Sequence, residues 1–188
     1  MPKKRDAAIE SHILNAAYNL LEKGGEAALT MRAVAKAAGT STPTVYHRFR
    51  DKRDLAEAVR RRGIEKVVAF LTPARTPEET CSRLLEFAVA NRNLYRLITA
   101  DWAVRLGRKD PKPSFDIIKA RLAERLGGSP DDHWDLAMAL GAIVHGTASV
   151  LLAEGVDDAI RDRLRQTCAD GCAALIEHAE HARAAVRK

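Results

Sequence analysis

The chain has 188 residues, of which 46% are hydrophobic, 5% aromatic and 30% charged. This length suits one compact domain or a small head with a larger body, and scarce aromatics beside abundant Ala and Leu favour helices over sheets. No run approaches the ~18 consecutive apolar residues of a membrane span, and the basic N-terminus lacks the apolar run of a secretory signal. An odd set of three cysteines indicates reduced thiols, so we expect a cytoplasmic protein.

The net charge of +6 is confined to the first third of the chain. The first 62 residues hold 13 Lys and Arg against 7 Asp and Glu, and the remaining residues are balanced. Segregated charge of this kind indicates that one part of the protein meets a polyanion and the other part does not. A randomly basic surface, which is the alternative interpretation, would not divide in this way.

The first third of the chain predicts four helices. Apolar residues recur at helical spacing over residues 6–23. Two short helices follow, the first capped by Thr30 and the second by Ser41, and a longer helix at about 52–71 is capped by Asp51. The predicted buried face of the first short helix consists of Met31, Val34, Ala35 and Ala38.

The rest of the chain predicts five more helices. A break rich in Pro and Thr at 72–77 precedes them. They are expected at 78–91, 93–106, 113–127, 131–154 and 157–184. The predicted fold is therefore all-α, with a small N-terminal head and a C-terminal helical body. We divide the chain into 1–55 and 56–188, with the helix at about 52–71 linking the two parts.

Two short helices joined by a tight turn, on a basic head, form a helix-turn-helix pattern. In such a pattern the first helix crosses the phosphate backbone, and the second enters the major groove with its N-terminal end first. Gly39 supplies the turn residue that tolerates a positive φ. Small polar residues at the start of the second helix can reach base edges, and we assign that role to Thr42 and Thr44, with His47 and Arg48 beside them.

The stretch Leu29–Leu55, LTMRAVAKAAGTSTPTVYHRFRDKRDL, resembles the signature of the tetracycline-repressor (TetR) family of transcriptional regulators. The resemblance spans about residues 9–60 and includes Ala-x-x-Ala-Gly, Ser-x-x-Thr-hydrophobic-Tyr and Lys-x-x-Leu. It implies phosphate contacts from Thr30, Tyr46 and Lys52, and core positions for Val45 and Phe49. The DNA-binding residues that we predict are Thr30, Arg32, Ser41, Thr42, Pro43, Thr44, Tyr46, His47, Arg48 and Lys52.

Several basic and aromatic positions of the head have plain structural alternatives. Tyr46 could be a core aromatic with a solvated hydroxyl, and Lys52 could be a solvated surface lysine. A cation at the positive end of a helix is locally unfavourable. The position of Lys52 therefore indicates that it binds an external anion such as a phosphate. The tail of Lys3, Lys4 and Arg5 could add DNA contacts or remain solvated.

The last two helices are the expected dimer interface. One helix-turn-helix head covers too little DNA for strong selectivity, so such proteins pair and read two half-sites of a pseudo-palindrome. The helix at 131–154 is rich in Ala and Gly, and one stripe of the helix at 157–184 holds Leu164, Cys168, Gly171, Cys172 and Leu175. The family pairs through its last two long helices, so the resemblance implies a homodimer. The alternative is that these faces pack within one body.

An effector site is expected in the body, because regulators of this family usually hold a small molecule there. The segments 91–98 and 142–155 resemble a subclass named for a Trp-His-Gly motif, although Val144 stands where the Trp would precede His145 and Gly146. The candidate pocket residues are Phe87, Tyr95, Ile98, Trp102, Phe115, Ile118, Trp134, Met138 and His145. Their character indicates an apolar or aromatic effector. The alternative is that they are ordinary core residues.

The sequence thus predicts a DNA-binding transcriptional regulator, a repressor released from its operator by an effector. We assign the helix-turn-helix DNA-binding domain to 1–55 and the ligand-sensing and dimerisation domain to 56–188. An enzyme is one alternative, but no Gly-rich phosphate loop, Gly-x-Ser-x-Gly or His-Glu-x-x-His occurs. Cys168 and Cys172 lie one helical turn apart without a second ligand pair, which favours packing over a metal site, and no cofactor is expected. The other alternative is a helical scaffold protein, which would bind DNA without sequence preference.

Overall fold

A computed structural model describes residues 2–100, Val104 and residues 112–186. These residues form nine α-helices, two short 3₁₀ helices and no strand, so the predicted all-α class is confirmed. The 3₁₀ helices are Glu26–Ala28 and Pro130–His133. The α-helices are α1 (Pro2–Gly24), α2 (Met31–Ala37), α3 (Thr42–Arg48), α4 (Lys52–Leu71), α5 (Pro77–Ala90), α6 (Arg92–Thr99), α7 (Pro113–Leu126), α8 (Trp134–Leu151) and α9 (Asp158–Val186).

Three predicted helices differ from the observed ones by more than two residues at an end. The helix predicted at 6–23 begins earlier, at Pro2. The helix predicted at 131–154 starts later, because Pro130–His133 forms a tighter 3₁₀ turn. In that turn the Asp132 carboxylate accepts the Ser129 backbone N–H at 2.8 Å. The helix predicted at 93–106 corresponds to α6, and most of its predicted second half lies outside the described residues.

The chain divides into two compact units. The first takes the chain up to Glu65, with α1, α2, α3 and most of α4, together with the segment that begins at Asn91 and contains α6. The second takes Lys66–Ala90, with α5, and residues 112–186, with α7, α8 and α9. These units are defined by contacts alone, so the predicted division into DNA-binding and sensing domains stays a prediction.

The first unit has an apolar core to which α2 and α3 both contribute. The predicted inner face of α2 is confirmed, because its buried residues include Met31, Val34, Ala35 and Ala38. Val45 and Phe49, predicted as core by resemblance, are buried one helical turn apart. Full burial of a large apolar side chain stabilises the fold by about 1.5–3 kcal/mol. This packing leaves the opposite face of α3 in solvent.

The second unit is organised around α8, which packs against α5, α7 and α9. Leu140, Val144 and Leu151 lie on its buried side. The segment Pro130–Leu151 has a mean hydropathy of 1.3 and meets the length and composition of a membrane span. Its packing against three neighbouring helices identifies it instead as a partly buried core helix.

Candidate nucleic-acid interface

The turn between α2 and α3 is held by a side-chain cap and a left-handed glycine. The Thr30 hydroxyl accepts the Ala33 backbone N–H at 3.1 Å, which caps α2 as predicted. Gly39 ends the following turn with a φ of 58°, a conformation that a side chain would disfavour. The Thr40 N–H then donates to the Ala35 carbonyl at 3.0 Å, which closes the turn and fixes where α3 begins.

The first turn of α3 is capped by a serine–threonine pair. The Ser41 hydroxyl accepts the Thr44 backbone N–H at 3.2 Å and lies 2.8 Å from the Thr44 hydroxyl. Pro43 stands in the same turn, where its missing N–H is not needed by the helix. The end of α3 that a helix-turn-helix protein directs into the groove is therefore held in one conformation before DNA arrives.

A second acidic cap begins α4. The Asp51 carboxylate accepts the Asp54 N–H at 2.8 Å, and the Asp54 carboxylate accepts the Arg50 N–H at 3.1 Å. Both carboxylates also favour the positive end of the helix. Lys52 and Arg53 are exposed between them, so the cap fixes the backbone from which these two cations project.

All ten predicted DNA-binding residues lie on α2, α3, their caps and the start of α4, and none is buried. The exposed members are Thr30, Arg32, Ser41, Pro43, Tyr46, His47 and Lys52. Thr42, Thr44 and Arg48 are half-exposed. Tyr46 is 53% exposed, which contradicts its alternative interpretation as a core aromatic. Their contacts with DNA stay predictions.

Three further cations on the same segments were not among the predicted residues. Lys36 in the last turn of α2, Arg50 before α4 and Arg53 in its first turn are all exposed. The only signal for them in the sequence is the charge excess of the first third of the chain. Motif positions alone could not identify them, because only the fold shows which side of each helix is covered.

The predicted pocket residues fall in both units. Tyr95, which is buried, and Ile98, which is half-buried, belong to the first unit. In the second unit Phe87, Phe115 and Ile118 are buried, whereas Met138 and His145 are half-buried. Burial lowers the pKa of His145. Trp134 is 48% exposed with its ring edge-on to Phe115 at 6.3 Å, and Trp102 lies outside the described residues. A common pocket for them stays a prediction.

A groove of about 270 Å³ between α5 and α9 contains none of these residues. It is lined by Cys81, Ser82, Leu85, Glu86, Asp162, Arg165, Gln166, Cys168 and Ala169.

The thiols of this groove are protonated. Contact with Cys172 and burial raise the pKa of the Cys168 thiol. Contact with Cys168 lowers the pKa of Cys172, but contact with Cys81 and burial outweigh it and raise that pKa to about 12. Within the described residues no group of three or more His, Cys, Asp or Glu side chains could hold a metal ion.

Two family models match this chain and together cover both units. The model of bacterial regulatory proteins of the tetR family matches residues 13–59, which include the turn and both short helices. The model of the tetracyclin repressor-like C-terminal domain matches residues 78–175, more than half of the chain. No curated protein sequence matches the chain.

Solved structures of similar fold span nearly the whole chain. A TetR regulator from Streptomyces coelicolor is 20% identical, with a TM-score of 0.66 over 90% of this chain and 96% of that one. A TetR regulator from Rhodococcus sp. RHA1 is 16% identical, with a TM-score of 0.62 over 94% and 98%. A TetR variant from Acinetobacter baumannii in complex with minocycline is 21% identical, with a TM-score of 0.64 over 91% and 96%. At these identities the structures establish the fold alone.

Proposed function

Because the chain belongs to the TetR family of bacterial DNA-binding transcriptional regulators, we propose that it is a repressor released from its operator by a small apolar or aromatic molecule. The family consists of regulators rather than enzymes, and it implies operator DNA and a small-molecule effector as partners. The observation that carries the proposal is the exposed, polar and basic face of α2 and α3 above a buried apolar core. Membership of the subclass with a Trp-His-Gly motif stays a prediction.

The head is proposed to read DNA through the start of α3. Thr42, Thr44 and Pro43 would meet base edges in the major groove, with Arg32, His47 and Arg48 at the border of the contact. Thr30, Tyr46 and Lys52 would hold the phosphates on either side, which sets register without reading sequence. The capped, exposed first turn of α3 supports this assignment, since few side chains must reorganise on binding.

A homodimer through α8 and α9 is proposed because α8 is too apolar for the exposure that it has in one chain. Only 28% of its apolar stretch is buried within the chain. Small exposed residues follow one another along it at helical spacing, namely Ala139, Ala142, Gly146 and Ser149. Val150, near the end of α8, is 47% exposed, and Ile160, near the start of α9, is 53% exposed. A second copy would cover this face and present two heads to a pseudo-palindromic operator.

The effector is proposed to bind in the helical body and to act by a shift of populations. A molecule that favours a body with wrongly spaced heads weakens operator binding by the difference between its affinities for the two states. The similar Acinetobacter structure is a complex with minocycline, which supports a small-molecule effector. We further propose that the protein acts in the cytoplasm, where the chromosome lies.

The test is selection of bound genomic fragments by the purified protein, followed by titration of the recovered site at two salt concentrations. We expect a pseudo-palindrome bound at least about 10³-fold more tightly than a scrambled duplex of equal length. Transcripts that rise when the gene is deleted would support repression. Salt-sensitive binding with no enriched sequence would contradict the proposal and leave a basic scaffold protein.

A further inference from the structure

All three cysteines of the chain meet at one place in the second unit. Cys81 is on α5, and Cys168 and Cys172 stand one helical turn apart on α9. The thiol of Cys172 contacts the thiols of both other residues. All three cysteines are free and buried, so the packing of α5 against α9 brings together thiols that are far apart in the sequence.

One of the two α9 thiols is reached from solvent through the groove between α5 and α9. Cys81 and Cys168 line this groove of about 270 Å³, together with the apolar side chains of Leu85 and Ala169. Cys168 is 4% exposed, whereas Cys172 is 1% exposed and does not line the groove. A small molecule in the groove therefore meets the Cys168 thiol first, with the Cys172 thiol beside it as a second sulfur.

The spacing of Cys168 and Cys172 suits neither a disulfide nor a metal ion. Side chains one helical turn apart have Cβ atoms about 5–6 Å apart, whereas a disulfide needs about 3.5–4.5 Å. A metal ion needs thiolates and further ligands, and the described residues hold no group of three such ligands.

Both sulfurs of the pair keep their protons at neutral pH. Contact with Cys172 and burial raise the pKa of the Cys168 thiol, and the pKa of Cys172 is raised to about 12. The pair therefore suits a neutral ligand that condenses with two thiols and joins them through one bridging atom, because the bridging atom lengthens the span between the two sulfurs.

We propose that Cys168 and Cys172 chelate a trivalent organoarsenical, RAs(OH)2, whose organic group R lies in the α5–α9 groove. Each thiol gives its proton to one arsenic-bound hydroxide, one As–S bond forms for each As–O bond that breaks, and two water molecules leave. Arsenic stays trivalent, and no group is oxidised or reduced. The site shares no residue with the predicted effector pocket, so the inference goes beyond the proposed function and does not depend on it.

The test uses phenylarsine oxide with the purified protein, followed by mass spectrometry of the intact chain. We expect a single adduct per chain, which gains C6H5As and loses two hydrogen atoms. Because the second As–S bond forms within one molecule, displacing this adduct should require at least about 100-fold more 2-mercaptoethanol than displacing an adduct held by one thiol. The dithiol 2,3-dimercaptopropanol should remove it readily.

Four variants locate the site. Cys168→Ala and Cys172→Ala each break the chelate and should lose the resistance to 2-mercaptoethanol, and either variant alone tests the pair if the other fails to fold. Cys81→Ala is the matched control, because it removes the neighbouring thiol and leaves the pair intact. Ser82→Leu narrows the groove at an exposed position with a better helix former. It should weaken retention of phenylarsine oxide about fivefold and leave that of methylarsonous acid unchanged.

Circular dichroism reports whether each variant keeps its helices. Absence of a resistant adduct on the wild-type protein would overturn the inference. Loss of the adduct from Cys81→Ala, or its persistence in Cys168→Ala, would overturn it as well, because the chelating pair would then include Cys81. Equal effects of Ser82→Leu on the two arsenicals would overturn the placement of the organic group in the groove.

Discussion

Thr44 is hydrogen-bonded to Ser41 through both its backbone N–H and its hydroxyl, at 3.2 Å and 2.8 Å. A helix cap and a predicted base-reading side chain therefore form one pair at the tip of α3. The pair separates two effects of substitution. Ser41→Ala removes the cap and is expected to cost about 1 kcal/mol in the free energy of unfolding. Thr44→Ala leaves the cap acceptor in place, because Ser41 still accepts the backbone N–H.

We expect Thr44→Ala to lower operator affinity by about 1–3 kcal/mol while nonspecific binding stays largely intact. Thermal unfolding should change little, since the Ser41 cap remains. The measurement is a titration of operator and random duplexes by fluorescence anisotropy, with Thr72→Ala, outside the head, as the control. Equal losses on both duplexes would count against a base-reading role for Thr44.

Lys52→Ala should weaken binding to every DNA sequence, because Lys52 is exposed at the capped start of α4 and is proposed to contact a phosphate. Each lost phosphate contact lowers the slope of log affinity against log salt concentration by about one unit. Titrations at four salt concentrations measure that slope. The control variant is Arg75→Ala, which removes one exposed charge from the second unit and should leave the slope unchanged. An unaltered slope for Lys52→Ala would remove the phosphate assignment.

Gly146→Leu tests the dimer. A Cβ at Gly146 meets no atom within 4 Å in the chain, so a larger side chain fits the single subunit. Against a partner helix it would prevent close approach, and we expect dissociation to monomers at micromolar concentration with the helix content preserved. Light scattering and circular dichroism measure both. Ala69→Leu, an exposed position on α4, serves as the control. A wild-type monomer, or a dimer unaffected by Gly146→Leu, would refute this interface.

The three cysteines should be slow to react in the folded protein. Cys81, Cys168 and Cys172 are buried, and the pKa of Cys172 is raised to about 12, so little reactive thiolate forms at neutral pH. The expected result is slow colour development with DTNB in buffer and three thiols per chain in denaturant. Rapid reaction of the native protein would mean that the α5–α9 groove exposes a reactive thiol.

Local signals were enough to predict most of the head. Thr30, Ser41 and Asp51 cap helices where the sequence placed them, because a cap joins residues three positions apart and depends on side-chain type. The apolar spacing of α2 likewise determined its buried face. The 3₁₀ turn at Pro130–His133 was missed, since its sequence also suits the start of an α-helix.

The sequence by itself determined the helical class, the helix-turn-helix and its family, because periodicity, caps and motif spacing act within a few residues. Only the tertiary structure decided that Tyr46 faces solvent, that α6 joins the first unit, and that Glu22 caps it at Leu94. The physical reason is distance along the chain. Residues 72 positions apart carry no local mark of their pairing, and they meet only when packing of the intervening helices brings them together.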